Sequence, residues 1–126
     1  SLSIDEVEVF YGTTDYRFVA DKILEKHSNV ETVAIRLGSK GAYTKSRNGR
    51  EAFKEAFRVK VVDTTGAGDA WTAAFIVSNV LEENDLEYSV TFANAVAAIV
   101  CTKYGAIAAF PRRDEVEEFL RKHSIR

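Results

Sequence analysis

Residues 61–71 run Val61-Val62-Asp63-Thr64-Thr65-Gly66-Ala67-Gly68-Asp69-Ala70-Trp71, and their types and spacing suit the binding of an anion. The apolar pattern over 59–62 predicts a strand leading into Gly66-Ala67-Gly68, where a sharp turn is sterically open and a ligand can come close to the backbone. Helical composition resumes at Gly68. A helix that starts there leaves its first N–H groups without internal partners and carries partial positive charge, an arrangement that holds phosphate or an oxyanion. Asp69 falls in the first turn, where the dipole favours the ionised carboxylate. Such a carboxylate can accept a proton from a hydroxyl while neighbouring amides stabilise charge on a transferred group. The same residues also read as a stabilising glycine-rich turn with an aspartate at a helix start, and Gly-Ala-Gly alone does not separate the two. Other phosphate-binding patterns fail on spacing. The dinucleotide fingerprint requires a further glycine where Trp71 stands, and Gly38-Ser39-Lys40-Gly41 lacks the Gly-Lys-Ser/Thr of a P-loop.

The elements that must position this turn follow from periodicity and end signals. Ser3 with Glu6 forms a capping-box pattern for a first helix, with Val7 and Phe10 inward and Gly12 as its stop. Thr13-Thr14-Asp15 offers caps for a second helix reaching about His27, its apolar side formed by Phe18, Ile23 and Leu24. Residues 31–37 predict a buried strand ended by Gly38 and Gly41; 42–45 and 52–57 predict strands around an Asn48-Gly49 hairpin turn. A helix over 68–81 can line one side with Trp71, Ala74, Phe75 and Val77 or Ser78, and Asn84-Asp85 breaks it. The longest helical run, 86–103, has a face of Val90, Ala93, Ala97 and Val100 whose small members permit close packing. Pro111 precedes a last amphipathic helix, 113–122, with Val116, Phe119 and Leu120 inward. This order argues for an α/β layer structure.

Composition bounds the possibilities. A chain of 126 residues with 46% apolar and 29% charged residues can enclose one core and belongs with soluble globular proteins. A net charge of −2 gives no general attraction to nucleic acid or to an anionic membrane, so an anion site must be local. No apolar run approaches the roughly 20 residues that span a bilayer, and no signal-peptide pattern opens the chain. The single cysteine, Cys101, lies in an apolar stretch and reads as a small buried hydrophobe of a cytoplasmic protein. The chain contains no methionine. Together with its start at a helix-start pattern, this fits a piece of a longer protein or one whose start residue was removed.

The run from Asp63 to Phe75, Asp-Thr-Thr-Gly-Ala-Gly-Asp-Ala-Trp-Thr-Ala-Ala-Phe, resembles without interruption the C-terminal signature of the ribokinase-like, PfkB-type carbohydrate kinases. The resemblance implies a ribokinase-like, Rossmann-type three-layer α/β sandwich, of which this chain would be the C-terminal portion. It implies Asp69 as catalytic base and the amides of Gly66, Ala67 and Gly68 as an anion hole. Ile35-Arg36-Leu37-Gly38-Ser39-Lys40-Gly41 is similar to the family's nucleotide-contacting strand and turn. There Arg36, Gly38, Ser39 and Gly41 would approach the phosphates and ribose of ATP, and a basic residue can pair with a phosphate. Read alone, the segment is a hairpin turn with solvated Arg36 and Lys40.

Phe92-Ala93-Asn94-Ala95-Val96-Ala97-Ala98 is similar to the family's adenine-pocket helix, with Asn94 and Ala98 beside the base; without the family these alanines are packing residues. The segment from Val100 to Ala106 resembles a potassium-site segment. Carbonyls of Asp63, Thr65, Val100, Lys103 and Gly105 would bind K⁺, since hard cations prefer oxygen. Ala109 departs from the small polar residue that some members have there. Ser3-Ile4-Asp5-Glu6 is similar to the family's Asn-x-x-Glu motif with Ser in place of Asn, and Glu6 would hold Mg²⁺ through water; the capping box explains Glu6 equally well.

The resemblance covers essentially the whole chain but only the C-terminal half of the family, without the sugar-contacting segments or the β-sheet lid. It implies an ATP-dependent sugar or sugar-acid kinase, closest to fructokinase-like and 2-keto-3-deoxygluconate kinase-like members, inactive as this piece alone. A nucleoside or vitamin kinase of the same superfamily and a non-catalytic nucleotide-binding module are the alternatives. The expected partners are a small-molecule sugar and ATP, with no nucleic acid and no membrane. Unpaired sheet edges such as Val33-Ala34-Ile35 would favour homo-oligomers or association with the missing N-terminal half.

Overall fold

The computed structural model describes residues 1–105 and 110–123. In chain order the elements are Leu2–Ser3 (β1), Ile4–Tyr11 (α1), Tyr16–Lys26 (α2), Thr32–Arg36 (β2), Ala42–Ser46 (β3) and Glu51–Lys54 (β4). Then come Ala67–Phe75 (α3), a π-helical stretch Ile76–Leu81, Leu86–Cys101 (α4) and Arg113–Lys122 (α5). The ends follow local chemistry. Ser3 Oγ accepts from Glu6 N–H at 3.1 Å and Glu6 Oε1 accepts from Ser3 N–H at 2.8 Å, so the capping box is made. Gly12 ends α1 in the left-handed region, at φ 68°. Asp15 and Asp85 cap α2 and α4 by accepting from Phe18 N–H and Tyr88 N–H, at 3.2 and 2.8 Å.

The sheet runs in the order β1-β2-β3-β4, with β1 parallel to β2 and the other pairs antiparallel. Because side chains alternate across a sheet, each strand feeds both faces. Val33, Ile35 and Tyr43 point to α1 and α2, where they join Val7, Val19, Ala20 and Leu24. Ala34, Ala42 and Ala52 point the other way, against α3, α4 and α5. The result is three layers, helices on both faces of one sheet. Alanine on the second face lets α4 lie close to the strands. That helix is accordingly buried on nearly every side, with Val90 and Ala93 at 0% exposure.

Several expectations are corrected. Phe10 and Phe18 do not point inward; they are 68% and 51% exposed. The face of α1 turned to the sheet carries Val7, with Ile4 packed beside it, and that of α2 carries Val19, Ala20 and Leu24. Residues 59–62 form no strand, and β4 stops at Lys54 instead of continuing to Phe57. The cause is register: Ala42, where β3 begins, already pairs with Lys54, so nothing on β3 remains for later residues. The carbonyls of Lys54 and Glu55 accept instead from Asn94 Nδ2, at 3.1 and 3.0 Å, and the chain leaves the sheet. The helix expected over 68–81 does reach Leu81, but its last part widens into the π-helical stretch around a buried Ser78–Ser89 hydroxyl pair at 3.0 Å. On the open side of β2, β1 pairs only at Ile35 and Arg36. Val9, Phe10, Ile76, Val80 and Leu81 are exposed apolar residues on α1 and the π-helical stretch.

Gly41 is the tightest point between the sheet and the chain beyond β4. Its φ is 118°, and a Cβ there would meet the Lys54 carbonyl oxygen and lie 2.8 Å from Glu55 Cα. Replacement by alanine combines a disfavoured backbone conformation with a backbone clash. Gly41→Ala should destabilise the fold by roughly 2–4 kcal/mol, read as a lower urea midpoint at unchanged slope. A change under about 0.5 kcal/mol would show that the turn adapts at no cost.

Candidate active site

The start of α3 is built by its own glycines and by a loop clamp. Gly66 adopts φ 81°, ψ −2° as N-cap, and no side chain caps the helix. Ala67 N–H donates to Thr64 O at 3.1 Å, while the N–H groups of Gly66, Gly68 and Asp69 meet no acceptor among the described residues. An anion at this end would therefore meet Gly66, Gly68 and Asp69 amides; that of Ala67 closes the turn. Behind the turn, Asp63 Oδ1 accepts from the Thr65 hydroxyl at 2.6 Å and Thr65 N–H at 2.9 Å, and Oδ2 from Gly105 N–H at 3.3 Å. Those bonds, led by the Thr65 hydroxyl, hold the Asp63 carboxyl below its ordinary range. Val62 and Asp63 N–H both donate to Cys101 O, at 2.7 and 3.2 Å, so the loop is tied to the C-terminal end of α4.

This helix start opens on a cleft of about 750 Å³. Its walls come from distant parts of the chain. Ser3 to Asp5 line it at the start of α1, and Arg36, Gly38, Ser39 and Gly41 line it at the end of β2 and the following turn. Ala67, Gly68 and Trp71 come from α3, and Asn94, Ala97, Ala98 and Cys101 from α4. The remaining wall is the irregular segment after β4, with Ala56, Phe57, Arg58, Val59 and Val61. Sequence reasoning overlooked this wall. The available signal is the alternation around Val59 and Val61, a pattern that by itself predicts a sheet strand.

Of the residues singled out from sequence, Arg36, Gly38, Ser39, Gly41, Ala67, Gly68, Asn94 and Ala98 thus share one cleft. Asp69 stands exposed in the first turn of α3, beside that cleft. The Arg36 guanidinium packs directly over Gly68, where a Cβ would collide with Nη1. Its Nε donates to Ser1 Oγ at 3.3 Å, and Nη2 lies 3.6 Å from Glu6 Oε1. A positive charge thereby sits at the positive end of the helix, which concentrates attraction for an anion. The Asn94 carboxamide, expected beside a base, is engaged within the protein: Oδ1 accepts from Trp71 Nε1–H at 2.8 Å and Nδ2 donates to two carbonyls. Cys101 is half-buried in the wall, and burial followed by the charge of Asp63 pushes its thiol up, away from reactivity.

The fit to cations differs between the two implied sites. Asp63, Thr65 and Gly105 are held together by hydrogen bonds, next to the end of α4 that carries Val100 and leads to Lys103. The donor set there is oxygen, which suits a hard cation. The Val100 carbonyl accepts from Lys103 N–H at 3.2 Å, and Lys103 Nζ reaches Glu115 at 2.8 Å. Ala109 and Ala106 lie outside the described residues. At Glu6, Oε1 is occupied by Ser3 N–H and faces Arg36, which leaves Oε2 for a water-mediated contact. Among the described residues no group of three or more His, Cys, Asp or Glu side chains is placed to hold a metal. Any Mg²⁺ here would rely on phosphate oxygens and water, as that ion commonly does.

Residues 2–113 match the model of the pfkB family carbohydrate kinases. A ribokinase of Haemophilus influenzae is 42% identical over 91 residues, covering 72% of this chain and 29% of that protein. Among solved structures, Arabidopsis thaliana ribokinase complexed with ribose and ATP superposes with a TM-score of 0.81 at 31% identity, over 94% of this chain and 39% of that one. A fructokinase double mutant from Vibrio cholerae, with fructose, ADP and potassium ion bound, gives a TM-score of 0.76 at 25% identity, over 94% and 39%. The chain spans less than half the length of these relatives and has their fold over nearly all its own residues. It belongs to the pfkB family of carbohydrate kinases.

Proposed function

We propose that this chain is the nucleotide-binding and catalytic part of an ATP-dependent kinase acting on a hydroxyl of a sugar or sugar acid, fructokinase-like or 2-keto-3-deoxygluconate kinase-like. The observation that carries the reading is the uncapped start of α3, with Arg36 over Gly68 and Asp69 in its first turn, opening on a cleft of nucleotide size. Phosphates sit at the amides of Gly66, Gly68 and Asp69 and against Arg36. The turn of Gly38, Ser39 and Gly41 follows the ribose and phosphates, and Ala98 leaves room for the flat base. Asp69 accepts the proton of the substrate hydroxyl as its oxygen bonds to the γ-phosphorus, and the bond from that phosphorus to the β-phosphate oxygen breaks to release ADP. When bound, Mg²⁺ supplies neutralisation of phosphate charge, with Glu6 contributing through water. K⁺, held by carbonyls of Asp63, Thr65, Val100, Lys103 and Gly105, would stiffen the loop that shapes the anion site. That relatives are described with ribose and ATP, or with fructose, ADP and potassium, supports these ligands.

The sugar itself would be held mainly by segments that the longer relatives have and this chain does not. The two-residue β1 and the exposed Val9, Phe10, Val80 and Leu81 support a surface covered by such segments or by another copy. Alone, the 126-residue chain should self-associate in light scattering and show little sugar-dependent ADP release. Robust turnover by the monomeric chain would contradict this.

Two substitutions separate chemistry from mere stabilisation. In the complete protein, Asp69→Asn should lower kcat by about 10³ while nucleotide Kd stays within about threefold; a binding module would have no turnover to lose. Gly68→Ala should leave stability within about 1 kcal/mol, since alanine favours a helix, yet displace Arg36 and cut kcat/KM about 100-fold. Full activity in Gly68→Ala would reduce the motif to a structural turn.

A further inference from the structure

We infer that Asn94 is a positioning residue for the catalytic helix start and does not read the nucleotide base. It rests on the proposed kinase reading for its catalytic meaning. Asn94 and Trp71 are buried, at 5% and 4% exposure, at the back of the cleft. Both carboxamide N–H groups of Asn94 are used on the carbonyls of Lys54 and Glu55, and Oδ1 receives the Trp71 indole N–H. A carboxamide has two N–H donors, so none is left for a base. Trp71 stands two positions after Asp69 on α3, and its ring stacks on Phe75 with centroids 5.2 Å apart and planes within 6°. The connection therefore runs from the end of β4, through Asn94 on α4, to the indole that sets the rotation and depth of α3. Buried, fully satisfied networks of this kind rigidify what they join. The amides of Gly68 and Asp69, one turn from the indole, inherit that fixed position.

The test uses Trp71→Phe, Asn94→Ala and the double variant of the complete protein. Amide hydrogen exchange is read at residues 70–73, the first hydrogen-bonded amides of α3, without ligand, and ATP and GTP affinities are read by calorimetry. Each single substitution should speed exchange at 70–73 by about tenfold, and the double variant by no more than either single one. Asn94→Gln keeps the acceptor and both N–H donors one methylene further out, so its exchange at 70–73 should lie between wild type and Asn94→Ala. It also replaces Asn94→Ala should that variant fail to fold. ATP and GTP affinities should fall by the same factor in every Asn94 variant. The inference is overturned if exchange at 70–73 is unchanged, if the two effects multiply, or if Asn94 variants lose ATP affinity while keeping that for GTP. Failure of the wild-type protein to bind any nucleotide would sink the kinase reading instead, and the exchange data would still decide whether Asn94 positions α3.

Discussion

A buried carboxamide is tolerable only where its donors and acceptor all find partners, and a buried helix can lie against a sheet only where the facing side chains are small. Both constraints meet along α4. Ala34, Ala42 and Ala52 bring the strands close to it, and that proximity places Asn94 within hydrogen-bonding distance of the Lys54 carbonyl that ends β4 and the Glu55 carbonyl just past it. From the same residue the contact continues to Trp71 on α3. The layer that carries the candidate chemistry is thus registered to the sheet through one polar connection inside an apolar interface. The cost of leaving any member of that connection unpaired, about 1–3 kcal/mol per group, makes the register specific.

The charge arrangement depends on that register. α3 has no side-chain cap, which in an ordinary surface helix would forgo stability. Here its bare end faces a cleft and is flanked by the guanidinium of Arg36, itself admitted by the missing side chain of Gly68. Behind it, Asp63 ties the turn to the chain just past α4 through Thr65 and Gly105. Hydrogen bonds that the turn could have used for capping are spent on the loop's shape, and the outward amides stay available. Stability given up at one helix end serves a site where an anion completes the capping.

Much of the fold was legible in local signals. The capping box at Ser3 and Glu6, the hairpin at Asn48-Gly49, the break at Asp85 and the bounds of α5 all rest on short-range rules, and the structure keeps them. Expectations failed where longer-range packing decides. Phe10 and Phe18 satisfy helical periodicity, but the faces turned to the sheet carry Val7 on α1 and Val19, Ala20 and Leu24 on α2. Residues 59–62 alternate as a strand does, but β3 had no residues left to pair with them, so they became a cleft wall. In the site, Gly66 to Asp69 and the turn from Arg36 to Gly41 were recognisable by type and spacing. The engagement of Asn94 was not, since nothing near it in sequence shows which carbonyls lie opposite.

By itself the sequence determined the helix and turn boundaries, the glycine-bearing turn before α3, the local rather than global character of its positive charge, and the family to which the motif points. These depend on neighbours within a few residues, where backbone sterics and capping act. Tertiary structure decided which of the candidate residues share a cleft, that Arg36 lies over Gly68, that Ala67 closes the turn while Gly66, Gly68 and Asp69 leave their amides open, and that Asn94 serves α3. The physical reason is separation along the chain. Arg36, Gly68 and Asn94 meet only after the alanine face of the sheet has drawn α4 against it, and no local propensity encodes that contact.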